Sequence, residues 1–176
     1  MGCLITSGRK VPCKSAVGGI KTIYFADFGT LGDATIVAGE ITAFAGTPTW
    51  FQFDVKGNSS METAITSSRE NGTTFYESTL NVTFQNLDVA TQEEIKLLNR
   101  GRAHYVVELY PDGAGTTKYL LLGKDNGAEI TGGTIVTGAA PGDLQGFTIT
   151  AVATDVFPPF FATAPNVDST APISPV

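Results

Sequence analysis

Apolar and polar residues alternate along most of this chain, and a period of two is the mark of a strand, because successive side chains point to opposite faces of a sheet. In Thr49–Val55, Trp50, Gln52 and Asp54 point one way and Phe51, Phe53 and Val55 the other. Thr73–Gln85 is the longest such run. Phe75, Glu77, Thr79, Asn81, Thr83 and Gln85 share one face; Tyr76, Ser78, Leu80, Val82 and Phe84 share the other. The second set is the more apolar and is expected to face the core. At roughly 3.3 Å per residue this strand exceeds about 40 Å, which is long for a simple sandwich. It suits a sheet that continues into an assembly, or a strand broken by a bulge. Further strands are predicted at Ile20–Asp27, Ala34–Ala38, Ile41–Ala45, Met61–Thr66, Ala103–Tyr110, Thr117–Leu122, Ala128–Thr137 and Gly146–Val156. Between them, Pro111-Asp112-Gly113 and Pro141-Gly142-Asp143 read as turns. Asp125-Asn126-Gly127 reads as a hairpin turn, and Gly132-Gly133 as a bulge or bend.

One segment departs from this period. Asp88–Gly101 predicts a helix over about residues 89–100. Thr91-x-x-Glu94 has the form of a capping box, and Glu93 and Glu94 are expected in the first turn, where the helix dipole favours acids. Ile95 and Leu98 share a face with Leu97 nearby, and Gly101 after Asn99-Arg100 is a stop signal. A helix this short is stable only when packed on a sheet. The expected class is therefore mainly β: an antiparallel β-sandwich or barrel of about 8–10 strands with one flanking α-helix. Residues 1–19 read as an N-terminal arm, 20–157 as the β domain and 158–176 as a Pro-rich C-terminal arm. Pro158-Pro159 is expected to end the sheet, since proline cannot donate to a ladder. Phe160 and Phe161 either anchor the arm on a partner or cover the edge of the domain's own core.

Composition narrows the function. The 176 residues fit one domain, and with 42% hydrophobic and 16% charged residues the protein has the means to bury a core without metal or disulfide staples. No apolar run approaches the roughly 18 residues of a membrane helix, so no membrane partner is expected. The net charge of −6 and pI near 4.6 have the wrong sign for gripping nucleic-acid phosphates. Met1-Gly2 with Thr6 fits a loose myristoylation pattern beside Cys3, against the plainer reading of a small-residue arm, and the opening lacks the apolar stretch of a signal peptide. Cys3 and Cys13 make no metal or disulfide framework. His104 lies in a predicted strand with no nucleophile elbow in the sequence, so it reads as structural. Gly138–Asp143 lacks the Lys-Ser/Thr of a phosphate loop, and Asp125–Gly127 lacks the spacing of a calcium loop. Asn58, Asn71 and Asn81 open glycosylation sequons of the kind a Thr-rich sequence produces by chance. No catalytic, cofactor or metal site is expected, and the protein does not read as an enzyme.

What remains is an acidic, Thr/Gly-rich, single-helix β domain with an arm at each end. Its opening Gly8-Arg9-Lys10-Val11-Pro12-Cys13-Lys14, then Gly18-Gly19-Ile20-Lys21 and Ile23-Tyr24-Phe25-Ala26-Asp27-Phe28-Gly29, resembles the start of tailed-bacteriophage structural proteins. The later order of elements is similar to that of phage tail tube proteins: a strand-rich half, one helix at Thr91–Asn99, the strand Tyr105–Leu109, the turn at Asp125–Gly127, and Gly142-Asp143-Leu144-Gln145-Gly146-Phe147 leading into the last strand. The resemblance covers most of Gly8–Phe161. It implies a virion subunit, assembled in the host cytoplasm, that forms stacked and usually hexameric rings. Its partners are then copies of itself and other tail or neck proteins, with genome DNA passing through the lumen without specific binding. A negative lumen lets phosphates slide. The polar face of the long strand (Glu77, Thr79, Asn81, Thr83, Gln85) is the candidate lumen surface. Lys56, Asn58, Glu62, Arg69, Glu70, Phe160 and Phe161 are the candidate inter-ring contacts. Two alternatives stand beside it: another virion part (neck, tail terminator or head decoration), or a sugar-binding or adhesin module in which Trp50, Tyr76 and Tyr110 stack on sugars.

Overall fold

The computed structural model describes residues 7–11, 14–55 and 57–167. Its elements in sequence order are β1 (Ile20–Asp27), β2 (Ala34–Val37), β3 (Glu40–Phe44), β4 (Phe51–Asp54), β5 (Ser60–Ser68), β6 (Thr73–Gln85), α1 (Val89–Leu98), β7 (Ala103–Leu109), β8 (Tyr119–Leu122), β9 (Ala128–Val136), β10 (Gly146–Asp155) and β11 (Phe160–Ala162). The fold is mainly β with one helix, as the alternation predicts. The sheet has 11 strands and is not closed, so of the two expected forms the barrel is not the one adopted. Its order is β2-β3-β11-β8-β7-β9-β10-β6-β5, with β1 and β4 branching from β7. All ladders are antiparallel except β11 on β3.

The centre of the molecule is the pair β1–β7, buried on both faces for most of its length. On one side, Ile23, Phe25, Tyr105 and Val107 pack against Leu80, Val82 and Phe84 of β6 and Phe147, Ile149 and Ala151 of β10. On the other, Tyr24, Ala26 and Val106 meet Leu31, Ile41, Trp50, Leu121 and Ala162, where the β8-β11-β3 part of the sheet curls underneath. A bulge between Ile20 and Thr22 explains how Ile20 and Ile23, an odd number of residues apart, enter the same cluster. Each fully buried aliphatic side chain, Leu80 and Ile41 at 0% exposure among them, contributes about 1.5–3 kcal/mol.

Three local expectations are corrected. The helix cap is Asp88, not Thr91: the Asp88 carboxylate accepts the Thr91 backbone N–H at 2.7 Å. The helix begins at Val89, as the range 89–100 predicts, and ends at Leu98; Thr91 is a buried position inside it, and no acid lies in its first turn. Asp125–Gly127 does turn the backbone, with the Gly127 N–H donating to the Gly123 carbonyl, but the strands on either side diverge instead of forming a hairpin. β8 pairs with β7 and β11, whereas β9 pairs with β10. Finally, the sheet does not end at Pro158-Pro159. Both prolines precede β11, where no N–H is needed, and Phe160–Ala162 then pairs with β8 and β3. The predicted bulge by Gly132-Gly133 is present, where the register of β9 on β10 shifts. The lipidation pattern, Cys3, Cys13, Lys56 and the tail beyond Val167 lie outside the described residues.

Candidate functional site

The long strand β6 sits between β10 and β5, and register sets what shares its two faces. Leu80, Val82 and Phe84 go inward as predicted, opposite Ala151, Ile149 and Phe147. Outward go Glu77, Thr79, Asn81, Thr83 and Gln85, all half-buried or exposed. Directly beside them on β10 stand Thr154, Val152, Thr150, Thr148 and Gly146, and on β5 Ala64, Glu62 and Ser60. β9 adds Glu129, Gly132 and Thr134 in register with β10. The five candidate lumen residues thus belong to one polar, hydroxyl-rich surface four strands wide. Thr83 opposite Thr148, and Thr150 donating to the Asn81 side-chain oxygen at 2.8 Å, hold it laterally.

The charge of this surface has one sign in its strands. On this face β5, β6 and β9 carry Glu62, Glu77 and Glu129, Asp155 of β10 lies on the opposite face beside Tyr76, and the four strands hold no Lys or Arg. Only at its margin does a cation approach, with Arg102, just ahead of β7, 4.0 Å from Glu129. Glu62, expected at a ring-to-ring contact, instead stands opposite Thr79 on this same face. The other expected contacts scatter. Asn58 lies just before β5, where its carbonyl accepts from Thr83 Oγ1. Arg69 and Glu70 form the exposed tip at the far end of the β5–β6 hairpin, about 30 Å away at roughly 3.3 Å per residue. Phe160 is half-buried in β11 against Phe157, and Phe161 is exposed.

The same four strands have two unpaired borders among the described residues. β5 pairs only with β6, and β9 meets β7 only at Ala103–Ala128. Each border strand carries a large exposed aliphatic side chain: Ile65 on β5 is 69% exposed and Ile135 on β9 63%. Long edges with apolar residues invite pairing with another molecule. Sequence reasoning missed Ile65, Ile135 and Glu129, because β9 and β5 had no assigned neighbours. The alternation in Gly146–Val156 was the signal for Thr148, Thr150 and Thr154.

Elsewhere, polar groups are buried but satisfied. Glu108, on the doubly covered strand β7, takes Lys21 Nζ on one oxygen and the Tyr24 hydroxyl on the other, each at 2.6 Å. The hydrogen bond to Glu108 raises the Lys21 pKa, and burial first, then Glu108, raises that of Tyr24. His104 is 2% exposed. Its Nε2 accepts the Gly29 N–H at 3.1 Å, which leaves Nδ1 to donate to the Gly123 carbonyl at 2.6 Å. Burial lowers its pKa. Among the described residues no cluster of His, Cys, Asp and Glu could hold a metal. A concavity of about 370 Å³ is lined mainly by small and apolar residues such as Phe44, Pro48, Trp50 and Pro165. Of the three aromatics that could stack on a sugar, Trp50 is 3% exposed and Tyr76 half-buried, while Tyr110 is exposed. No family model matches the sequence, and neither a curated protein nor a solved structure is similar to it.

Proposed function

We propose that this protein is a structural subunit of a bacteriophage tail tube, which joins edge to edge into rings, hexamers in the usual case, that stack around a DNA-conducting channel. The observation that carries the reading is the four-stranded face β9-β10-β6-β5, whose strands hold acids and hydroxyls and no cation. Turned inward in a ring, such a face repels phosphates and leaves DNA nothing to pair with, the opposite of a nucleic-acid binder's logic. Pairing of β5 in one subunit with β9 in the next removes both free edges and covers Ile65 and Ile135. Such head-to-tail contacts close a ring when the rotation permits. Asn58 and the Arg69–Glu70 tip lie at opposite ends of the hairpin, and in this reading they meet the rings on either side. In this reading the subunit's partners are its own copies and other tail or neck proteins, and the assembled site is the virion.

Negative-stain electron microscopy of the purified protein across a concentration series tests this. Hollow tubes of even width are expected, and Ile65→Lys with Ile135→Lys is expected to leave folded monomers that make none. Single closed rings that never stack point instead to a neck or terminator part. Dispersed monomers at every concentration, with tail completion proteins added as initiators, overturn the reading.

A further inference from the structure

Two Asn-Gly pairs occur in the sequence, Asn71-Gly72 and Asn126-Gly127, and the fold treats them oppositely. An asparagine followed by glycine is open to attack on its own side chain, because glycine offers a backbone nitrogen with no side chain to shield it and a backbone free to bend. Asn126-Gly127 is clamped against that reaction. The Asn126 side-chain amide donates to the Thr154 carbonyl at 2.7 Å, and its backbone N–H is turned to Asp155. The Asn126 carbonyl accepts from Arg102, and the Gly127 N–H is spent on the Gly123 carbonyl. Gly127 is also hemmed in: a Cβ there would stand 2.7 Å from the Phe28 ring. Phe28 is in turn covered by the Arg102 guanidinium, 4.2 Å from its centroid.

Asn71-Gly72 has none of this. It lies in the four-residue turn between Ser68 and Thr73, the last pair of the β5–β6 ladder. Both residues are exposed. Gly72 has φ +62° and open space around its Cα. A long hydrogen bond, 3.3 Å, runs from the Asn71 N–H to Ser68 Oγ, and it restrains neither the side-chain amide nor the Gly72 nitrogen.

We propose that Asn71 is a site of spontaneous, fold-selected modification: it deamidates through a cyclic imide while Asn126 is held intact. The Gly72 nitrogen attacks Asn71 Cγ, a new N–Cγ bond closes the five-membered ring, and the bond from Cγ to Nδ2 breaks. The Nδ2 amino group leaves as ammonia, taking the proton that Gly72 gives up. Water then opens the ring at either carbonyl, leaving aspartate or isoaspartate at position 71. No oxidant or enzyme is needed. The product adds a negative charge to a tip that otherwise holds one Arg69 and one Glu70. The isoaspartate form also inserts a methylene into the backbone of the turn that sets the β5–β6 register. None of these steps depends on ring formation.

The test is peptide mapping by mass spectrometry of the full native protein incubated at mildly alkaline pH, with a parallel sample in denaturant. In the native sample, conversion at Asn71 is expected at least about tenfold faster than at Asn126, equivalent to a barrier difference of about 1.4 kcal/mol. In denaturant the two rates converge, because the clamp on Asn126 is tertiary. Asn71→Gln, whose ring would be one atom larger, is expected to leave the tip unconverted over the same period. Equal native rates at the two sites, or faster conversion at Asn126, overturn the proposal.

Discussion

At the scale of single residues, the informative positions are the polar ones inside the doubly covered strands. Burial disfavours the charged ring of His104, and Nε2 is occupied by the Gly29 N–H that it accepts, while Nδ1 donates to the Gly123 carbonyl. A second proton on the ring would face the Gly29 N–H. The hydrogen bond to Gly123, and after it Asp155, oppose the burial effect without overcoming it, and the Phe28 ring lies 5.2 Å away. With the folded pKa below the ordinary 6.5, the unfolded state binds more protons, so stability is full above about pH 6.5 and falls as the pH drops through the lower folded value. Urea midpoints measured between neutral and mildly acid pH are expected to show this fall, and His104→Gln is expected to flatten it. The aspartates do not confuse the window. Backbone hydrogen bonds from Thr91, Thr116 and Ala140 hold Asp88, Asp112 and Asp143 below 3.8, so their contributions are lost only in stronger acid. The Glu108 cluster gives a second expectation. Tyr24→Phe removes a buried donor and leaves a carboxylate oxygen underserved, at a cost of about 1–3 kcal/mol. Lys21→Met costs less, because Lys21 is half exposed and water can take its place. Denaturant titration of the two variants ranks them.

At the scale of elements, local pattern and tertiary context each settled different things. β6 runs from Thr73 to Gln85 as the alternation predicts, with Leu80, Val82 and Phe84 in its second half meeting one continuous core. The helix was legible and begins at Val89 as expected, but the capping box read at Thr91 is not used: the cap is Asp88, whose carboxylate reaches the free Thr91 N–H. Asp88→Ala is expected to cost about 0.5–2 kcal/mol, while Glu94→Ala stays within about 0.5 kcal/mol. Thermal unfolding of the pair distinguishes this cap from the alternative. β11 was hidden because prolines suggested a stop. Its three residues are too few to carry a pattern, and pairing with β8 and β3 is what makes them a strand.

At the scale of the whole molecule, the sheet has free edges where a finished particle would have none, and a face whose strands bear charge of one sign. If that face lines a channel, its sign matters more than the identity of its residues. Glu62→Lys with Glu77→Lys is expected to leave folding unchanged, since both positions face outward on β5 and β6. If tubes form as proposed, it is also expected to make them retain DNA in a salt-dependent way, whereas tubes of the unsubstituted protein are expected to release it. Co-sedimentation of tubes with double-stranded DNA at low and high salt measures it.

The class of the fold, the identity and faces of the long strand and the existence of the helix were all settled by the sequence itself. Each rests on periodicity or spacing within a few residues. The tertiary structure alone decided which strands neighbour one another. That choice placed Glu62 and Glu129 on the same face as Glu77, in the row of Thr79, buried Trp50 rather than offering it to a ligand, and clamped Asn126 while leaving Asn71 open. Pairing across many intervening residues leaves no trace in local alternation, because any apolar stripe satisfies any other, and only packing all the elements at once selects among them.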